Sequence, residues 1–205
     1  MIYPTYELEE EAKGEGFKRV VGVDEAGRGP GAGPVVAAAV LIPDQYIPDF
    51  MLKVNDSKKL TAKKREALFG EITAKCEYGV GIVNNKVIDQ INILEATKVA
   101  MHLAIADIYK ADYALIDGTV KLSNLYIGQR QIIKGDNRSI SIAAASIIAK
   151  VTRDEIMDTL HYVYPVYGWN KNKGYLTKVH IEAIKTYGVT EFHRVSFRKV
   201  GDSYD

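Results

Sequence analysis

Hydrophobic and polar positions along this chain switch between two periods, and the switches mark its elements. Near 19 to 24 and 34 to 42 the residues are almost continuously apolar, as in buried strands. The turn Ile42-Pro43-Asp44 ends the second, and the short connection between them predicts a hairpin. Tyr78 to Val83 reads as a third strand, Tyr113 to Asp117 as a fourth and Gln131 to Lys134 as a fifth. Helical spacing appears from Ala62 to Ala74 behind Thr61 as a cap, and from Ile93 to about Tyr109 behind Asn92. In that second helix Leu94, Met101, Ile105 and Ile108 fall on one face, which predicts a core face. Further helices are expected from Ser141 to Asp154 and from Thr177 to Thr186, with a short acidic one within residues 1 to 16. Strands separated by helices predict an α/β sheet.

Where the strands stop, the chemistry collects. The run Val20, Val21, Val23 ends in two adjacent carboxylates, Asp24 and Glu25, and Tyr113 to Ile116 ends in Asp117 and a glycine. The fifth strand leads through Gly135 to Asp136, a third repeat of strand, glycine and acid. Carboxylates crowded at one sheet end repel each other, and a hard divalent cation such as Mg²⁺ is the usual remedy. A turn aspartate with a solvated glutamate is the plainer alternative for Asp24 and Glu25.

Four glycines, at 27, 29, 31 and 33, then follow within seven residues, with Arg28 among them. Such a loop lets a ligand approach the backbone, and the arginine offers planar donors to a phosphate. The spacing of Gly27, Gly29 and Ala32 imitates a dinucleotide loop. That reading fails, because Pro34 leads into a strand where the motif needs a helix.

Composition and charge narrow the class. With 205 residues, 47% of them hydrophobic, the chain can bury the core of one domain, here divided into a core of about 17 to 160 and a helical part of about 161 to 205. No basic-then-apolar leader is visible at the start, and no apolar run approaches the ~20 residues of a membrane span. The single cysteine, Cys76, excludes an internal disulfide and fits a reducing cytoplasm. Net charge is +1, but Thr119 to Val200 holds 13 Lys/Arg against 6 Asp/Glu, which leaves −6 for the remainder. The later part is therefore suited to an anionic partner.

Several residues there could meet nucleic acid. Ser146 and Lys150 lie four apart on one helix face, and Tyr175 follows the basic stretch Lys171-Asn-Lys173-Gly174, as stacking residues do. Tyr164 and Trp169 read as packing residues, and His193 as structural rather than as a general base. Asp56, Ser57 and Lys58 could hold a loop and offer donors to phosphate, and read equally as capping and solvated residues.

Taken together, these motifs resemble ribonuclease HII, the bacterial type 2 ribonuclease H. The resemblance is carried by Gly-Val-Asp-Glu-Ala-Gly-Arg-Gly, Asn-Asp-Ser-Lys-Lys-Leu, Ile-Asp-Gly, Lys-Gly-Asp, Ser-Ile-Ala-Ala-Ala-Ser-Ile-Ile-Ala-Lys-Val-Thr-Arg-Asp, Lys-Gly-Tyr and Phe-His-Arg-Val-Ser-Phe, in that order from Val20 to Phe197. It implies an α/β, ribonuclease H-like fold, a five-stranded mixed sheet flanked by helices with a helical C-terminal part. It also implies two Mg²⁺ or Mn²⁺ ions held by Asp24, Glu25, Asp117 and Asp136. By the same resemblance Gly27, Arg28 and Gly29 read the 2′-hydroxyl, Tyr175 packs on the adjoining deoxyribose, and Lys58, Asn92, Ser146 and Lys150 contact phosphates. The implied substrates are RNA/DNA hybrids and duplex DNA containing ribonucleotides, cut 5′ of the ribonucleotide to leave 5′-phosphate and 3′-hydroxyl ends. A monomer is expected, without a membrane, and recruitment of a sliding clamp is left open, no clamp-binding tail being recognised after the last motif. The rival readings are ribonuclease HIII, a non-catalytic nucleic-acid module and a nucleotide-binding oxidoreductase.

Overall fold

The computed structural model describes residues 4–46 and 61–202, so the expectations for Asp56, Ser57 and Lys58 fall outside the described residues. The elements are α1 (Glu7–Gly14), β1 (Val20–Ala26), β2 (Val35–Leu41), α2 (Ala62–Lys75), β3 (Glu77–Val83), α3 (Asn85–Ala106), β4 (Tyr113–Asp117), β5 (Gly128–Ile132), α4 (Ile140–Val163), α5 (Trp169–Asn172), α6 (Lys178–Tyr187) and α7 (Arg198–Gly201). The five strands form one mixed sheet in the order β3-β2-β1-β4-β5. Antiparallel pairs join β1 to β2, the expected hairpin, and β2 to β3, while β1–β4 and β4–β5 run parallel. Among the described residues no helix is long and apolar enough to cross a membrane.

Because side chains alternate across a strand, β2 serves two cores. Val36, Ala38 and Val40 pack with Ile72 of α2 and Ile140, Ala144 and Ile147 of α4. Val35, Ala37 and Ala39 pack on the other face with Ala96, Ala100, Met101 and Ala104 of α3. The small residues let helices lie close to the sheet. At Gly22 of β1 an added Cβ would stand 2.2 Å from the backbone of Ser141 and Ile142, so only glycine admits α4 there.

Four boundaries differ from expectation. β1 does not stop at Asp24 but stays paired with β2 as far as Ala26. The fifth strand begins at Gly128 and ends at Ile132, while Lys134 turns left-handed at φ 54°. This strand lies at the sheet edge, where polar Gln129 and Arg130 are tolerated. The helix expected behind Asn92 is the second part of α3, which starts at Asn85 and ends at Ala106. Asn92 breaks it at φ 67° and caps the second part by accepting bonds from Leu94 N (2.9 Å) and Glu95 N (3.1 Å). In the new first turn Leu94 faces outward at 40% exposure, whereas Met101, Ile105 and Ile108 are buried as expected. α4 is nearly three turns longer than its apolar pattern and is capped by Ser139, which accepts from Ile142 N.

The acidic α1 is more than an edge helix. Glu9 is fully buried, and its Oε1 accepts from Ser139 Oγ (2.6 Å), Ser141 N (3.0 Å) and Ser141 Oγ (2.5 Å). A carboxylate thus sits on the N-terminus of α4, where the helix dipole favours negative charge.

Candidate active site

Parallel pairing carries the acids to one edge. Val23 pairs with Ile116 in the ladder, so Asp24 and Asp117 are the next residues of adjacent strands, and Asp117 pairs with Ile132 of β5. Asp117 Oδ1 accepts from Gly135 N at 2.6 Å, which holds the Gly135–Asn137 turn and its buried Asp136 against β4. α4 adds a fourth wall. From Ile142 over Gly22, four helical residues advance about 6 Å and two strand residues about 6.6 Å. That places Ser146 over Asp24, to which it donates a hydrogen bond.

Asp24 is only 4% exposed. Burial first, then the charges of Glu25 and Asp117, push its carboxyl well above the usual carboxylate range, against the stabilising bonds from Ser146 and Glu25 N. Each of the other acids has a local partner as well. Glu25 pairs with Arg28 at 3.2 Å, and Asp136 Oδ1 accepts from Asn137 Nδ2 at 2.8 Å. Among the described residues no three Asp, Glu, His or Cys side chains form a ready-made metal cage. The chemistry of the donors nevertheless fits a hard divalent ion, since all are carboxylates, and the charges of Glu25 and Asp117 add to burial in disfavouring the anion of Asp24.

Beside the acids opens a groove of about 430 Å³ lined by Glu25, Gly27, Arg28, Gly29, Ser146, Lys150 and Tyr175, and also by Arg65 and Arg153. Six of the eight expected substrate contacts therefore meet in one place. Asn92 is absent from the lining, and Lys58 lies outside the described residues. Tyr175 is half exposed, and its ring reaches over the glycine loop, where a Cβ on Gly29 would stand 3.3 Å from its Cε1. Lys150 pairs with Asp154 at 2.6 Å.

Two arginines that sequence reasoning did not single out organise the loop. Arg194 donates to the carbonyls of Gly27 (2.7 Å), Arg28 (3.1 Å), Gly33 (2.9 Å) and Pro34 (2.9 Å). Arg153 donates to those of Ala32 (3.1 Å), Pro34 (3.0 Å) and Lys173 (2.9 Å). Both are almost fully buried, and burial lowers their pKa, to about 9 for Arg194 and about 10 for Arg153, so both remain cationic at neutral pH. In a trans peptide C=O and N–H point opposite ways. Pulling the Gly27 and Arg28 carbonyls inward therefore turns the N–H groups of Arg28 and Gly29 away from the guanidinium. Nothing in the local sequence marks Arg153, which stands between Thr152 and Asp154 in a mixed stretch of α4.

His193 and Cys76 both serve the packing of the fold. His193 is buried and its pKa falls to about 4, through burial and then the neighbouring His180, so the ring is neutral and only weakly basic at neutral pH. Cys76 closes α2, and burial pushes its thiol up to about 12.

The sequence profile of ribonuclease HII matches residues 21–200. The chain belongs to the ribonuclease HII family. A ribonuclease HII of Acetivibrio thermocellus is 53% identical over 192 residues, covering 93% of this chain and 74% of that protein. One from the Wolbachia of Brugia malayi is 46% identical over 204 residues, 99% and 97% of the two chains. The crystal structure of the ribonuclease H2 from Pyrococcus horikoshii superposes with a TM-score of 0.77 at 28% identity, covering 91% of this chain and 97% of that one. Ribonuclease HII membership and the ribonuclease H-like sheet together support ribonuclease activity of the ribonuclease H type.

Proposed function

We propose that the protein is an endonuclease that cuts the RNA strand of RNA/DNA hybrids and nicks duplex DNA 5′ of a single embedded ribonucleotide, with Asp24, Glu25, Asp117 and Asp136 as ligands to divalent metal. The observation that carries this reading is the shared groove: Glu25, next to buried Asp24, lines the same cavity as Gly27, Arg28, Gly29 and Tyr175. Acids that favour cations and donors that favour a sugar-phosphate backbone meet there.

The chain's own residues divide the work. The outward N–H groups of Arg28 and Gly29 are donors for a ribose 2′-hydroxyl, the group that distinguishes RNA from DNA. Tyr175 offers an aromatic face to the following deoxyribose, while Arg28, Arg65 and Lys150 supply positive charge for phosphates. Ser146 holds Asp24 in place by its hydrogen bond. Asp24, Glu25, Asp117 and Asp136 would hold two Mg²⁺ or Mn²⁺ ions, which would supply the Lewis acidity for in-line phosphodiester hydrolysis leaving 5′-phosphate and 3′-hydroxyl ends. The chain acts as a cytoplasmic monomer, one catalytic domain in which the part after about residue 160 contacts substrate.

The test is cleavage of a DNA duplex containing one ribonucleotide, beside an all-RNA strand paired with DNA, in Mg²⁺, Mn²⁺ or chelator. Metal-dependent nicking 5′ of the lone ribonucleotide is the expected result. Cutting of the hybrid alone would overturn the junction reading.

A further inference from the structure

Behind Tyr175 lies a buried chain of hydrogen bonds that the cleavage reading does not use. Thr190 N donates to His193 Nδ1 at 2.8 Å, with Thr190 Oγ1 at 3.0 Å from the same nitrogen. The Nε2 atoms of His193 and His180 are 3.1 Å apart, and Trp169 Nε1 donates to His180 Nε2, also at 3.1 Å. His180 Nδ1 lies 3.0 Å from the carbonyl oxygen of Tyr175. Trp169, His180 and His193 are all buried.

The fixed donors leave one proton arrangement. A backbone N–H faces His193 Nδ1, so that nitrogen accepts and its proton resides on Nε2. The indole N–H faces His180 Nε2, so that nitrogen accepts, from Trp169 and from His193 together. The His180 proton is then on Nδ1 and is donated to Tyr175. A second proton on either ring would put two N–H groups face to face, which agrees with the lowered pKa of both histidines.

The segment that receives this bond needs holding. Lys173 and Gly174 are both left-handed, at φ 49° and 84°. Three successive carbonyls are tied from different directions: Lys173 by Arg153 (2.9 Å), Gly174 by Gly31 N (2.9 Å) and Tyr175 by His180, with Thr177 N as a second donor at 2.8 Å. We propose that His180, oriented by His193 and Trp169, is a positioning residue that fixes the Tyr175 backbone so that its ring stands over Gly29 and discriminates the sugar at an RNA to DNA junction. This rests on the contact role given to Tyr175 above.

The experiment exploits the fact that Asn can replace the donor at the Nδ1 position and Gln the acceptor at Nε2. For wild type, His180→Asn, His180→Gln and Tyr175→Ala, kcat/KM is measured on the single-ribonucleotide duplex and on the all-RNA hybrid. His180→Gln should lower the ratio of the two by roughly 10- to 100-fold, His180→Asn should largely restore it, and adding His180→Gln to Tyr175→Ala should lower it no further. Equal losses on both substrates for Asn and Gln would reduce the histidines to packing and overturn the proposal. A ratio unchanged by Tyr175→Ala would instead overturn the contact role of the ring itself. Nitrogen-15 ring shifts of the wild-type protein, which need no variant to fold, should show Nδ1–H on His180 and Nε2–H on His193, and the opposite tautomers would overturn the relay.

Discussion

Arg194 Nη2 lies 2.7 Å from the carbonyl oxygen of Gly27 while its Nη1 reaches that of Arg28 at 3.1 Å. One rigid fork thus sets two consecutive peptide planes of the loop nearest the acids. A lysine has the charge without the fork and cannot serve four carbonyls in separate directions. Arg194→Lys should destabilise the fold by about 2–4 kcal/mol, the cost of leaving buried carbonyls unsatisfied, as read from denaturant unfolding. In the fraction that folds, cutting at a single ribonucleotide should fall more than cutting of an all-RNA hybrid. A change within about 0.5 kcal/mol and an unchanged substrate ratio would remove Arg194 from this role.

Asp24 makes a prediction about metal that does not require catalysis. Its folded pKa is raised, so its stabilising contribution is full below the ordinary value of 3.8 and is lost as pH rises through the folded value. At neutral pH the buried carboxyl is therefore a cost in chelator. Asp24→Asn should abolish cleavage, unfold at a higher temperature than wild type in chelator, and gain less than wild type on adding Mg²⁺. Each kcal/mol relieved corresponds to about 2–4 °C for a chain of this size. A variant that melts below wild type in chelator and still responds fully to Mg²⁺ would show that Asp24 is neither strained nor a ligand.

How far these features can be seen in the bare sequence depends on whether they are local. Thr61, Asn92 and Ser139 are cap-type residues, and Thr61 and Asn92 were legible as caps because a cap is read from its own next few residues. The nearness of Asp24 to Asp117 was legible because two strands each end in an acid and lie side by side, whereas Asp136 sits in the turn after β5, which Asp117 holds through Gly135. The strand Gly128–Ile132 was partly hidden, since an edge strand has no obligation to be apolar. Arg153, Arg194 and the His180–His193 pair were not legible in role. The carbonyls that Arg153 and Arg194 hold lie 20 to 167 residues away along the chain, and nothing in the local pattern separates a buried guanidinium from a surface one or announces that His180 and His193 meet.

Asn92 separates a local role from a distant one. At φ 67° it occupies a left-handed position, and its Oδ1 already accepts two bonds from the following turn. Asn92→Gly keeps the backbone geometry and should cost only a few tenths of a kcal/mol, whereas Asn92→Ala should cost about 2 kcal/mol by adding left-handed strain to the loss of the cap. If capping is the whole role, the affinity of Asn92→Gly for an uncleaved hybrid, and its slope against salt, should match wild type. A shallower slope, by roughly one phosphate's worth, would restore Asn92 as a phosphate contact.

His193 gives the protein a pH dependence of defined sign. Its folded pKa of about 4 lies below the ordinary 6.5, because burial and the adjacent His180 both disfavour the cation. Between those values the unfolded chain binds the proton and the folded chain does not. The contribution to stability is therefore complete above about pH 6.5 and is lost as pH falls toward 4, by about 3 kcal/mol in all at 1.36 kcal/mol per pKa unit. His180 shifts in the same direction and adds to the loss. Carboxylates titrate over the same range, so the informative quantity is a difference between proteins. Denaturant unfolding of wild type and His193→Gln from pH 7.5 to 4 should show the wild-type advantage shrinking as pH falls, since glutamine has no proton to gain. Parallel curves would mean that His193 titrates alike in the folded and unfolded chains, and the two-histidine contact could not then be the dry, neutral pair described above.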